Sequence, residues 1–117
     1  MIAVSVLVDI SVDDDLSELA SIPEGYRPVA ILVPAVDSTV ISFQAQHNGG
    51  TLTPVYTAVH GSAPAAYTLG TANTGGHVQP IPADLSYALM GANIKIVVSQ
   101  QTSGDVPFVL WCERAMP

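Results

Sequence analysis

The chain has 117 residues, a length that fits one domain with its own core, and we expect a single domain over residues 1–117. Three Lys and Arg residues against ten Asp and Glu give a formal charge of −7, which disfavours binding to nucleic-acid phosphates. One cysteine excludes an internal disulfide framework. Only 11% of residues are charged, which favours a surface partly covered by a partner, although a small Ala- and Thr-rich monomer is the alternative.

The first twelve residues alternate between two faces, which predicts a long strand. One face carries Ile2, Val4, Val6, Val8, Ile10 and Val12. The segment is too short to span a bilayer and lacks the positive start of a signal peptide, so we expect no membrane segment. A long edge without Pro or Lys invites pairing, so we expect contact with another copy or another protein, and a core that folds without this strand. The alternative is a strand integral to the chain's own sheet.

The next part of the chain predicts one helical turn and two strands. Acidic and serine residues within 13–20 suit a helix N-terminus, and Gly25 in the following loop is free to adopt a left-handed conformation. Residues 29–33 predict a short buried strand, and residues 41–46 alternate as a strand with one buried face. His47-Asn48-Gly49-Gly50 has the residue types of a hairpin turn.

The second half predicts shorter strands and one more helical segment. Weak strands are expected at 51–56, 65–69 and 77–81, a helix of one or two turns at 83–90 with Asp84 as a possible cap, and a clear strand at 94–98. The last strand, from Val106 to about Ala115, is apolar on both faces, which indicates a central strand or one covered by a neighbouring subunit. Together these patterns predict an all-β fold, a single antiparallel, jelly-roll-like β-sandwich with one or two short helical turns.

Residue chemistry predicts no catalytic, cofactor or metal site. The acidic run at 13–15 lacks the spacing of a calcium loop, and His47, His60 and His77 lack zinc-ligand spacing. Cys112 lies in a packed strand, so a buried inert thiol is expected. Nothing in the sequence brings Glu24 and Glu113 together as a carboxylate pair. The tyrosines and Trp111 leave a carbohydrate platform open as an alternative to core or interface packing.

Several segments of the chain form a recognisable series: IPEGYRPVAILVPA at 22–35, ISFQAQ at 41–46, the glycine pair at 49–50, IKI at 94–96, TSG at 102–104, VP at 106–107 and ER at 113–114. In this order they resemble a recurring small structural protein of tailed bacteriophages. The likeness covers roughly residues 21–116 and leaves out the first strand.

The resemblance implies a non-enzymatic virion component, and within that class a head decoration (cement) protein. Such a protein binds the major capsid protein on the capsid exterior, and we expect a homo-oligomer. A tail, neck or fibre component is the structural alternative, and a carbohydrate-binding β-sandwich module is the alternative from another class. The expected interface residues are Ile2, Val4, Val6, Val8, Ile10, Val109 and Trp111.

Overall fold

A computed structural model of the chain describes residues 3–10, 16–35, 40–57, 65–70, 76–98 and 106–115. These residues form β1 (Ala3–Ile10), β2 (Ala20–Ser21), β3 (Tyr26–Val33), β4 (Val40–Gln46), β5 (Thr53–Pro54), β6 (Thr68–Gly70), β7 (His77–Pro80), α1 (Ala83–Ala88), β8 (Asn93–Val97) and β9 (Val106–Arg114). All strand pairs are antiparallel. The predicted all-β sandwich with a short helix is confirmed.

The strands divide into two sheets. Sheet A has the order β1-β9-β3-β7, and sheet B has the order β2-β8-β4-β5, with β6 also pairing β4. The last strand is therefore central in its sheet, between β1 and β3, which agrees with its two apolar faces. The chain passes from sheet A to sheet B between β3 and β4, so these two strands, although close in sequence, lie in different layers.

The core lies between the two sheets and follows the alternation of the strands. Sheet A supplies Val8, Ile31, Val33, Phe108, Leu110 and Cys112; sheet B supplies Ile41, Phe43, Ala45, Ile94 and Ile96. Leu85 and Leu89, in and just after α1, are also fully buried. Burial of this apolar surface is the main stabilising contribution to the fold.

The first strand is an integral member of sheet A. All eight of its residues pair with β9, from Ala3 opposite Glu113 to Ile10 opposite Val106. Val8 is only 1% exposed and belongs to the core. The expectation that the core folds without this strand is therefore corrected, because the strand supplies both a core side chain and the neighbour of β9.

The described part of the segment 13–20 is extended rather than helical. Leu16 forms an isolated bridge with Val97, and Ser17 N–H donates to the carbonyl of Ile96 at 2.9 Å. The Ser17 hydroxyl oxygen in turn accepts the Ile96 N–H at 2.7 Å. The buried serine thus satisfies a strand donor where regular pairing with β8 is interrupted. Pairing with sheet B prevails over the local helix signal, and residues 13–15 lie outside the described residues.

Two of the predicted loop conformations are confirmed. Asn48 and Gly49 have φ values of 53° and 74°, and Gly50 N–H donates to the His47 carbonyl at 2.9 Å, as a tight reversal after β4 requires. Gly25 has a φ of 81°, and its carbonyl accepts the Ala115 N–H at 2.7 Å. The left-handed conformation at Gly25 thus places the loop before β3 against the end of β9.

The helix and the short strands differ from the predictions at their boundaries. α1 begins after Pro82, which occupies the N-cap position, so Asp84 lies in the first turn and is not the cap. The strand expected at 51–56 is limited to β5 and a bridge between Tyr56 and Ala66, and the strand expected at 65–69 is observed as that bridge and β6. Pro54 and the turns around these segments limit the length of regular pairing.

Candidate protein-binding surface

The outer face of sheet A carries rows of apolar residues that cross all four strands. One row is Leu7, Val109, Leu32 and Val78, and the next is Ser5, Trp111, Ala30 and Pro80. Directly opposite residues on paired strands lie on the same side of a sheet. Seven of these eight residues are apolar, and we call them the apolar face: Leu7, Ala30, Leu32, Val78, Pro80, Val109 and Trp111.

The apolar face is open to solvent in the single chain. Leu7 and Val78, on the two edge strands, are each 60% exposed, and Trp111, on a central strand, is 37% exposed. Ala30, Leu32 and Val109 are half-buried. A continuous exposed apolar surface of this kind typically marks a site of interaction with another protein.

The outer face of sheet B is mainly polar. Opposite pairs on its central strands are Gln44 with Lys95, Gln46 with Asn93 and Ser42 with Val97, and Val40 at the start of β4 is a 46% exposed apolar residue on this face. Asn93 donates a side-chain hydrogen bond to Gln46 Oε1 at 3.2 Å and accepts one from the Ser21 hydroxyl at 2.7 Å. These groups are well solvated without a protein partner, so the two outer faces of the sandwich differ in what they can bind.

A polar cluster borders the apolar face where β3 and β9 meet α1. Arg27 Nη2 donates to Glu113 Oε1 at 2.8 Å, and Arg27 Nη1 donates to Ser86 Oγ at 3.2 Å. The Arg27 guanidinium also lies 4.7 Å from the centre of the Tyr87 ring. The buried Ser86 hydroxyl donates to the Pro28 carbonyl. The cluster fixes α1 against sheet A, so this border of the apolar face is held in place.

The structure divides the predicted interface residues between the two sides of sheet A. Val109 and Trp111 lie on the apolar face, as members of its two rows. Val8 is part of the core, and Val4 and Val6 pack against that core. Ile2 lies outside the described residues, and Ile10 is the last residue of β1. The interface role of Val109 and Trp111 stays a prediction, whereas the valines of β1 are engaged inside their own chain.

Sequence reasoning missed most of the apolar face. The residues it did not single out are Leu7, Ala30, Leu32, Val78 and Pro80. The sequence indicated a second apolar face in β3 and β9, because residues of both alternating sets are apolar in these strands. Leu7 is the one large apolar residue in the otherwise small or polar alternate set of β1. What the sequence did not reveal is that these strands are neighbours, so that their second sets form one surface.

The described residues contain no group of three or more His, Cys, Asp or Glu side chains placed to hold a metal ion. His47 Nε2 lies 2.9 Å from the Ala88 carbonyl, to which it can donate at the end of α1. His77 lies on β7, with a buried Nδ1 that has no partner in the described part of the chain. His60 and the acidic residues 13–15 fall outside the described residues. In that same part of the chain, no helix has the length and apolar character to cross a membrane.

The other candidate groups lie apart from one another. Burial raises the pKa of Cys112 to about 11, so its thiol is protonated at neutral pH, as expected of an inert core cysteine. Glu113 is paired with Arg27. Tyr26 packs against the core, and the Tyr67 hydroxyl donates to Asp84 Oδ1 at 2.7 Å. Tyr26 and Tyr67 thus have separate structural contacts, and Trp111 is the only aromatic residue among the seven of the apolar face.

Comparisons with known proteins return no match: no family model, no curated protein and no solved structure matches this chain. The resemblance to phage structural proteins therefore depends on the sequence segments themselves, and the apolar face depends on the structure.

Proposed function

We propose that this protein is a non-enzymatic structural component of a tailed-phage virion, a decoration protein that binds the exterior of the head. The observation that carries the proposal is the apolar face of sheet A, which has seven apolar residues in two rows, in a chain whose opposite face is mainly polar. A protein that contacts its partner with one face and water with the opposite face needs this asymmetry. The sequence resemblance supplies the virion as the setting.

The charge of the chain supports an exterior position. A formal charge of −7 repels packaged DNA, which makes the inside of a filled head an unfavourable place. The major capsid protein is the proposed partner, with a surface that is apolar where it meets Leu7, Trp111 and Val78 and is not acidic around them. The polar face of sheet B then points to solvent.

The test is cosedimentation with capsids assembled from the major capsid protein encoded near this gene. Val78→Lys introduces a charge on the apolar face, and Thr68→Lys introduces the same charge at an exposed position of sheet B. We expect the wild-type chain and Thr68→Lys to sediment with capsids, and Val78→Lys to bind about tenfold more weakly or worse, because a buried unpaired charge costs at least about 1.4 kcal/mol.

Two outcomes would overturn the head placement. Binding of the chain to purified tails and not to heads would place it in the tail. Absence of binding to any virion part, or equal binding of Val78→Lys and the wild-type chain, would exclude docking through the apolar face.

A further inference from the structure

Sheet A ends in two edges that differ in length and in protection against pairing. β7 has four residues and ends at Pro80, which has no N–H to offer a neighbour. β1 has eight residues, AVSVLVDI, without Pro or Lys. One edge of β1 pairs with β9 along its whole length, and none of the described strands pairs with the opposite edge of β1. A long, regular edge with unpaired backbone groups is a template for one more strand.

We propose that two copies of this chain pair through their β1 edges, antiparallel, around a two-fold axis that passes between the two Leu7 residues perpendicular to sheet A. The occupant of the free edge is then a second copy, and the same residues serve on both sides, as an isologous contact requires. The pairing joins two four-stranded sheets into one sheet of eight strands.

The residue types in β1 fit this antiparallel register. Leu7 lies opposite Leu7, Val6 opposite Val8, and Ser5 opposite Asp9. Apolar residues thus lie opposite apolar residues, and the acidic residue at position 9 lies opposite a serine. Parallel pairing in register would instead place Asp9 opposite Asp9, which like-charge repulsion disfavours. The charge pattern of the strand therefore favours the antiparallel arrangement.

The two-fold axis also determines where the apolar faces lie. An axis perpendicular to the sheet keeps the outer side of both sheets on the same side of the dimer, so the two apolar faces become one continuous surface. From the strand rise and spacing, the outer face of one sheet A has a projected area of roughly 500 Å². Two faces together present roughly 1,000 Å². Capsid binding by this joined surface rests on the proposed function. The pairing of the β1 edges does not depend on that function.

A second copy could also cover the apolar face directly, by stacking sheet A on sheet A. The two modes place different residues at the contact. Edge pairing brings the two Leu7 residues together and leaves Val78 at the far edges of the joined sheet, whereas stacking buries both. Leu7 and Val78 are equally exposed, so the same substitution at each gives a matched pair.

The first experiment is sedimentation of the full chain and of the two variants Leu7→Lys and Val78→Lys. We expect the wild-type chain and Val78→Lys to have twice the 12.1 kDa chain mass, and Leu7→Lys to have the monomer mass with an unchanged circular dichroism spectrum. A wild-type chain at 12.1 kDa, a dimeric Leu7→Lys, or dissociation by both substitutions would overturn edge pairing.

The second experiment fixes the register by disulfide cross-linking. Opposite residues in an antiparallel pair have Cα atoms about 4.5–5.5 Å apart, within the range of a disulfide. The native Cys112 is buried and protonated, so an added cysteine is the reactive thiol. Under mild oxidation we expect Leu7→Cys to form a covalent dimer and Val78→Cys to remain uncross-linked. Equal cross-linking of the two variants would contradict the pairing, while leaving the capsid test with Val78→Lys intact.

Discussion

The two sheets of the sandwich have the same kind of inner face and opposite kinds of outer face. Both inner faces supply the buried apolar core. On the outside, sheet B is mainly polar, with Gln44, Gln46 and Lys95, whereas sheet A presents Leu7, Trp111 and Val78. Sheet B needs a packing partner on its inner face alone, whereas sheet A has apolar residues on both faces. A strand with both alternating sets apolar therefore needs a packing neighbour on each face, either in the chain or outside it.

The strongest way to disturb this arrangement is to remove β1, which closes one side of sheet A. A chain without residues 1–12 loses Val8 from the core and exposes β9 along its length. We expect this chain to lose its cooperative unfolding transition, measured by circular dichroism during heating. A cooperative transition within a few degrees of the wild-type midpoint would show that β1 is peripheral to the fold.

A matched pair of Val→Ala substitutions separates the two faces of sheet A. Val33 is 0% exposed on the inner face of β3, and Val78 is 60% exposed on the outer face of the adjacent strand β7. We expect Val33→Ala to lower the free energy of unfolding by about 2–3 kcal/mol, since it removes buried methyl groups and leaves a cavity. Val78→Ala should change it by about 0.5 kcal/mol or less. Equal losses in denaturant unfolding would mean that the outer face is packed within the single chain.

The polar cluster at the border of the apolar face gives a smaller effect. Arg27→Ala removes the hydrogen bonds to Glu113 and Ser86 and the contact with Tyr87. Because the Arg27 and Glu113 side chains are about one-fifth exposed, we expect a loss of about 1–2 kcal/mol in the free energy of unfolding.

The control for Arg27 is Lys95→Ala on the outer face of sheet B, which changes the net charge equally. We expect this substitution to change the free energy of unfolding by about 0.5 kcal/mol or less. If Lys95→Ala matched Arg27→Ala, the effect would come from net charge and not from the cluster.

The smallest effect concerns the hydrogen bond between Tyr67 and Asp84. The bond from the tyrosine hydroxyl lowers the pKa of Asp84 below its ordinary value of 3.8, and the bond to Asp84 raises the pKa of Tyr67 above 10.0. The lowered Asp84 pKa stabilises the fold above pH 3.8, and this contribution is lost as the pH falls through the folded-state pKa. The raised Tyr67 pKa stabilises it below pH 10.0, and this contribution is lost as the pH rises through the folded-state pKa.

Tyr67→Phe tests this hydrogen bond directly. We expect the pKa of Asp84, followed by NMR, to rise toward 3.8 in the variant. An unchanged Asp84 pKa would show that the bond is not formed in solution.

Local patterns predicted the strands well and their partners poorly. The alternation in β4 and β8 identified both elements and their buried sides, because each has one polar face. The segment around Ser17 was predicted as helical, because its capping residues gave a local signal that the distant pairing with Ile96 overrides. The ion pair between Arg27 and Glu113 joins residues 86 positions apart. Such contacts depend on strand order, which a single sequence does not specify locally.

Because strand order is not specified locally, only part of the apolar face could be predicted from the sequence. Val109 and Trp111 were found because β9 is apolar on both faces by itself. Leu7 and Val78 become part of the surface only when β1 and β7 are placed at the edges of the same sheet. Which side of β1 faces solvent could not be chosen from the sequence, since the valine set is the more regular one and yet lies in the core or packs against it.

We propose that the outer face of sheet A binds the virion and that the outer face of sheet B does not. Hydroxyl-radical footprinting of the protein on capsids tests it with two residues of the chain. Trp111 is 37% exposed on the apolar face, and Tyr56 is 53% exposed beside the strands that pair with β4. We expect capsid binding to protect Trp111 from oxidation and to leave Tyr56 labelled as in the free protein. Protection of Tyr56 with unchanged labelling of Trp111 would contradict binding through sheet A.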